Sequence, residues 1–151
     1  MRRKDREITS SLEIEAIIGR CLVCRLAMAD DNQPYVVPLC FGFKDNSLYF
    51  HSAGQGKKID IIKKNSRVCF EFDIDCEIVE ADTACKWGMR YKSVIGFGEA
   101  CFIEDSESKR QALDIIMQHY GGEASAYSET DLKRTVIIKV DIEQITGKQV
   151  E

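Results

Sequence analysis

The stretch from Leu48 to Asn65, LYFHSAGQGKKIDIIKKN, carries the residue types in this chain with the most chemistry to offer. A short apolar run passes through His51, Ser52 and Ala53, crosses a turn spaced by Gly54 and Gly56, and opens a helix at Lys57 and Lys58. Glycine has no Cβ to keep a ligand off the backbone, and the first N–H groups of a helix have no partner inside it. The helix dipole favours an anion at that end, and the two lysines bring mobile positive charge to it. A phosphate fits there. The same pattern also describes an ordinary strand-turn-helix corner with solvated lysines, because short glycine motifs recur by chance. Histidine changes charge near neutral pH, which makes His51 a candidate for chemistry; its plainer role is to fix the loop through a hydrogen bond.

The thiols point elsewhere. Seven cysteines are an odd number, and most lie within apolar runs, so reduced core thiols are expected. Cys21 and Cys24 form a C-x-x-C in CLVCRLAMA, a segment that reads as a strand, where positions three apart face opposite sides. No second pair completes four ligands, and no metal is expected.

The elements that must position these residues follow from patterning. The chain has 151 residues, which suits a single domain spanning 1–151. No apolar run reaches the roughly 18 residues of a membrane span, and MRRKDREI leads into no signal-peptide core, so a cytoplasmic protein is expected, with no membrane partner. A net charge of −4 argues against nonspecific nucleic-acid binding. Ser10 and Glu13 have capping-box spacing ahead of a stripe of Leu12, Ile14, Ile17 and Ile18, which predicts a short helix ended by Gly19. Cys21–Ala29 and Tyr35–Phe43 flank a turn-rich DDNQP and predict a hairpin, with Pro38 marking an edge, a bulge or a place for a flat ligand. Leu48–Ser52 is a strand, Lys57–Lys64 a helix with Lys63 and Lys64 solvated, and Arg67–Ile74 a strand that continues to Val79 across a bulge. Asp82–Met89, with Trp87, reads as a loop, and its tryptophan as packing. Arg90–Ile103 is a long strand that Gly96 and Gly98 allow to bend. A helix opens at Asp105 with Leu113, Ile116, Met117 and Tyr120 as its stripe, and His119 near its end has no assigned role. Glu123–Lys133 reads as polar and partly irregular, and Thr135–Ile142 as the last strand. Arg25 either pairs with a carboxylate across an interface or points outward. The fold class is mainly β with flanking helices (α+β), best built as a small antiparallel barrel.

In order, RLAMADDNQPYVVPLCFGF, LYFHSAGQGKKIDIIKKNSRVCFEFD and RYKSVIGFGEACFIED resemble the flavin-binding split-barrel family of pyridoxamine 5'-phosphate oxidase and the nitroimidazole-resistance (Nim) reductases. The resemblance runs from Arg2 to Ile142 and is closest to the Nim branch. It implies a six-stranded split β-barrel, homodimeric, with FMN at the subunit interface. By motif, Tyr35, Val36, Val37, Pro38, Leu39 and Cys40 would pass along the isoalloxazine ring. His51, Ser52 and Ala53 would lie near the ribityl chain, and Gly56, Lys57 and Lys58 would hold the phosphate. Tyr91 and Ser93 would complete the phosphate and ribityl side. The tail IEQITGKQVE lacks the tryptophan and arginines of the oxidases, which disfavours pyridoxamine phosphate as substrate, and Cys40 stands where they carry a basic residue.

The resemblance thus implies an FMN-dependent oxidoreductase that takes electrons from NAD(P)H and passes them to a nitroaromatic or related small acceptor, with water, Tyr91 or His51 as proton source. A flavin- or haem-binding sensor or carrier without turnover is the other reading of the same fold.

Overall fold

The computed structural model describes residues 3–123 and 126–151, so Arg2, where the family resemblance begins, and positions 124–125 of the polar stretch lie outside the described residues. Helix α1 (Ser11–Arg20) starts where Ser10 Oγ accepts the Glu13 N–H at 3.4 Å. Ile14, Ile17 and Ile18 are buried, whereas Leu12, expected in their stripe, is 76% exposed. Two residues before Ile14 is about 200° around a helix, the wrong side for the core.

Strands β2 (Cys24–Asp30) and β3 (Gln33–Leu39) form the expected hairpin around Asp31 and Asn32, both at positive φ, the geometry that lets a two-residue turn match strand twist. Cys21 is not in the strand: it caps α1, and its thiol donates to Ile17 O at 3.2 Å. Strand β4 (Gly42–Lys44) returns through Asp45 and Asn46 into β5 (Ser47–Ala53). Helix α2 (Lys57–Lys64) buries Ile59, Ile61 and Ile62. Strand β6 (Arg67–Val79) bulges after Ile74, with Asp75 at φ 56°, and pairs with β7 (Gly88–Ile103). Then come α3 (Ser106–His119), α4 (Glu129–Arg134) within the stretch read as irregular, and β8 (Thr135–Val150).

The sheet is antiparallel, in the order β3-β2-β6-β7-β8-β5-β4, with β1 (Glu7–Ile8) beside β8. It has eight strands, not six. One addition is the two-residue β1. The other is β4, because YVVPLCFGF does not stay on one strand: Phe41 turns fully into the core, its N–H donating to Tyr120 Oη at 3.0 Å. β8 also runs on to Val150, past the expected end at Ile142, since β7 is long enough to pair with it throughout.

One core fills the inside of the bent sheet, with Phe41, Leu48, Phe50, Phe70, Phe72 and Ile138 at its centre. The bend relies on two glycines. A Cβ on Gly96 would come 2.0 Å from the Phe70 ring, and one on Gly98 would come 2.2 Å from Asp141 O, where the β7–β8 register slips. Helix α3 lies so close over β4 that a Cβ on Gly42 would come 2.8 Å from the Ile115 backbone. Among the described residues, no helix is long and apolar enough to cross a membrane.

Burial raises the Cys21 thiol to about 11 and the Cys24 thiol further still. Both therefore stay protonated and enclosed at pH 8. In thiol titration with a disulfide reagent, exposed Cys85 is expected to react in the native protein and Cys21 and Cys24 only after unfolding. Rapid native labelling of the pair, read by peptide mapping, would contradict this packing.

Candidate functional site

The site begins with an edge. Among the described residues β3 ends the sheet and pairs only with β2, and both prolines of the chain, Pro34 and Pro38, lie in it opposite Ala29 and Arg25. Proline has no N–H and sits in a strand where that group would face away from its neighbour. Val36 has the same parity, so it offers the outward N–H between two positions that have none. Another strand cannot add there, but a ligand with one acceptor can. The side chains of Tyr35, Val37 and Leu39 pack toward the core, while Val36 and Pro38 are exposed. Cys40 lies just beyond β3 and is exposed.

Lys57 stands beside this edge, with Nζ 4.7 Å from the Tyr35 ring centroid, a cation-π contact, and among the described residues its ammonium has no carboxylate partner. Gly56 precedes it at φ 134°, a conformation few other residues adopt, with open space where a Cβ would stand. The first backbone bond of α2 runs from Ile59 N–H to Gly56 O at 2.9 Å, so the amides of Lys57 and Lys58 lie ahead of the helical ladder. Lys57 is exposed and Lys58 half-buried. The two amides, the Lys57 ammonium and the open glycine offer donors of the kind an oxyanion takes, beside an apolar edge.

His51 and Ser52 are strand neighbours and face opposite sides. Ser52 is buried, and its hydroxyl donates to Ala53 O at 2.9 Å. His51 is exposed, opposite Ile137, and Ala53 ends the strand opposite Thr135. Tyr91 and Ser93 do not join this corner within one chain. They pair with Val150 and Lys148, at the other end of β8 from Ile137, the partner of His51. Lys148 donates to Tyr91 Oη at 2.5 Å. Sequence reasoning missed Lys148; the signal was the resumption of alternation at Ile145 and Gly147, in the opposite phase to Ile138, Val140 and Ile142 because the β7–β8 register slips between them.

Three further residues are resolved. Arg25 bonds within its own chain, to Glu71 Oε2 at 3.0 Å and to Asp73, so no partner chain is needed to neutralise it. His119 is not a free surface residue: it lies 4.1 Å from the Phe41 ring, and its Nε2 is 2.7 Å from Cys21 O. Trp87 is 52% exposed, with its indole N–H on Ala81 O at 2.7 Å, so this chain does not bury it.

The pyridoxamine 5'-phosphate oxidase family model matches residues 10–149. The chain belongs to that family. Among solved structures, it is 38% identical to a protein of Bacteroides thetaiotaomicron assigned provisionally to 5-nitroimidazole antibiotic resistance, with a TM-score of 0.86 over 95% of this chain and 86% of that one. It shares its fold with the FAD and heme binding protein of Mycobacterium smegmatis, at 20% identity, TM-score 0.87, and coverage of 97% of this chain and 74% of that one. An uncharacterized protein of Rhizobium meliloti is 33% identical over 64 residues, so the match spans 42% of this chain and 42% of that curated relative's length.

Burial raises the Glu71 carboxyl, and Asp73 beside it raises it further against the lowering effect of Arg25. The folded state then holds this proton to higher pH than the unfolded chain, so Glu71 costs stability as pH rises through that window. Glu71→Gln is expected to raise the melting temperature near pH 7 and to lose that advantage toward pH 4. An advantage that grew on acidification would contradict the assignment.

Proposed function

We propose that this member of the family is an FMN-dependent oxidoreductase, homodimeric, which reduces nitroaromatic or related small acceptors with electrons from NAD(P)H. The observation that carries the reading is the corner at Gly56, Lys57 and Lys58 beside the β3 edge. Its donors match a phosphate monoester, and the outward Val36 N–H beside an apolar edge matches a flat heteroaromatic ring. FMN, when bound, supplies hydride chemistry between a nicotinamide donor and a second substrate. The chain's own part is to bind and orient: Lys57 and Lys58 hold the phosphate, Tyr35 steadies Lys57, and β3 lies along the ring. Similarity to the Bacteroides protein at 38% identity supports a nitro compound as acceptor.

The dimer rests on the outer face of the sheet. Ile95 and Phe97 of β7 are 42% and 46% exposed, and Val36 of β3 is 59% exposed on the same face. The charges between them, Arg25 with Glu71 and Asp73, neutralise one another in large part, which lowers the cost of covering that face. A second copy there would bring its Tyr91 and Ser93 toward the Lys57 corner.

Purified protein is expected to be yellow, to release FMN on denaturation and to oxidise NADH or NADPH only when a nitroimidazole is present. Lys57→Ala with Lys58→Ala should weaken FMN binding at least about 30-fold, from two screened charge-assisted contacts of roughly 1–1.5 kcal/mol each. A Soret band in place of flavin, or unchanged FMN affinity in the double variant, would overturn the reading.

A further inference from the structure

Helix α3 stands over β5 and β8 and leaves a groove of about 460 Å³ beside them. On the strand side are Tyr49 and Lys139, opposite one another on β5 and β8, with Ile103 of β7; on the helix side are Ser108, Gln111 and Ile115. Phe102, Ile103 and Glu104 also line a second cavity of about 140 Å³, between α2 and α3, whose other residues include Gly54, Lys63 and Lys109. Both lie where helices cover the strand ends, beyond the bare stretch of β7 at Ile95 and Phe97 on which the dimer rests.

The groove has the groups that read a base. Gln111 gives one amide N–H to Glu107 at 3.1 Å, which leaves it one N–H and its carbonyl oxygen. That pair matches adenine, whose N7 accepts and whose N6 amine donates side by side. The Tyr49 ring, Ile103 and Ile115 supply apolar flanks for a flat heterocycle. Among the described residues, the hydroxyls of Tyr49 and Ser108 have no hydrogen-bond partner, so both can serve a ligand.

Charge sets which way round such a ligand lies. Glu104, Asp105, Glu107 and Asp141 stand around the groove against Lys139 alone, and Lys139 is paired with Asp141 at 2.6 Å, so an anion is disfavoured there while a base with an exocyclic amine is not. In the second cavity Lys63 and Lys109 line the wall against the one carboxylate of Glu104. Lys109 gives two of its three N–H groups to Leu132 O at 3.1 Å and Thr135 O at 2.9 Å, and keeps a third to donate. A phosphate belongs on that side.

We propose that the groove and the second cavity together bind an adenine nucleotide, its base on Gln111 beside Tyr49 and its phosphate between Lys63 and Lys109. The site is separate from the Lys57 corner and does not depend on a flavin being held there. The same moiety occurs in free nucleotides and in the adenosine half of a nicotinamide donor.

The test is calorimetric titration of the full chain carrying Lys57→Ala and Lys58→Ala, which keeps the corner from taking the phosphate. AMP is expected to bind with a dissociation constant below about 1 mM. GMP should bind at least about tenfold more weakly, because guanine presents two acceptors to the single N–H that Gln111 has left. On the same background, Gln111→Leu should weaken AMP about tenfold, and Lys63→Met should weaken AMP about threefold while leaving adenosine unchanged. Thermal melting of each variant reports its folding separately. No binding of AMP, GMP bound as tightly as AMP, or either substitution without effect in a folded variant would overturn the proposal. NADH bound at least as tightly as AMP assigns the site to the electron donor, and NADH bound more weakly assigns it to the free nucleotide.

Discussion

The rest of the structure depends on a sheet that is prevented from closing. β3 carries both prolines of the chain at positions whose N–H would face outward, so the strand accepts a neighbour on one side only. At the other end of the order, β4 is three residues long and gives way to a turn. An unpaired edge is usually a liability that invites another strand. Here the missing donors deter a strand and leave a short stretch of backbone open to a ligand. The glycines of β7 serve the same end, because the sheet bends over Phe70 only where Gly96 leaves room.

Much of this was legible in the sequence, for reasons that differ by element. The Ser10 cap, the Asp31-Asn32 turn, the bulge near Asp75 and the helix at Lys57 are local signals, written within a few residues, and each appears in the structure. The two short strands were not legible. β1 exists because β8 lies beside it, and β4 is separate because Phe41 is drawn into the core toward Phe72 and His119, contacts far away in sequence. Leu12 looked like core because it is apolar, although its angular position faces water.

The site was legible in part. Gly56, Lys57 and Lys58 form a contiguous motif whose chemistry follows from the backbone, and the structure adds only the contact of Lys57 with Tyr35. The position of Tyr91 and Ser93 was not legible from motif order, since strand pairing carries them to the far end of β8. Lys148 was missed because the tail was judged by the residue types it lacks. Its register opposite Ser93 gives it a place that composition could not show. Both Lys57 and Lys148 rest on tyrosines, whereas Lys64, Lys92 and Lys139 are matched to carboxylates within the chain. Among the described residues neither Lys57 nor Lys148 has a carboxylate partner, and positive charge of that kind in an acidic protein is where an oxygen-rich ligand finds attraction.

The central claim is that the phosphate of a bound flavin lies in the α2 corner, with its ring along β3 and a second chain closing the site. A crystal structure of the protein with FMN tests this most directly. The account predicts phosphate oxygens on the amides and ammonium groups of Lys57 and Lys58, the ring edge on the Val36 N–H, and Tyr91 supplied by the second chain. A phosphate bound away from Lys57 and Lys58, or a flavin enclosed by one chain alone, would contradict it.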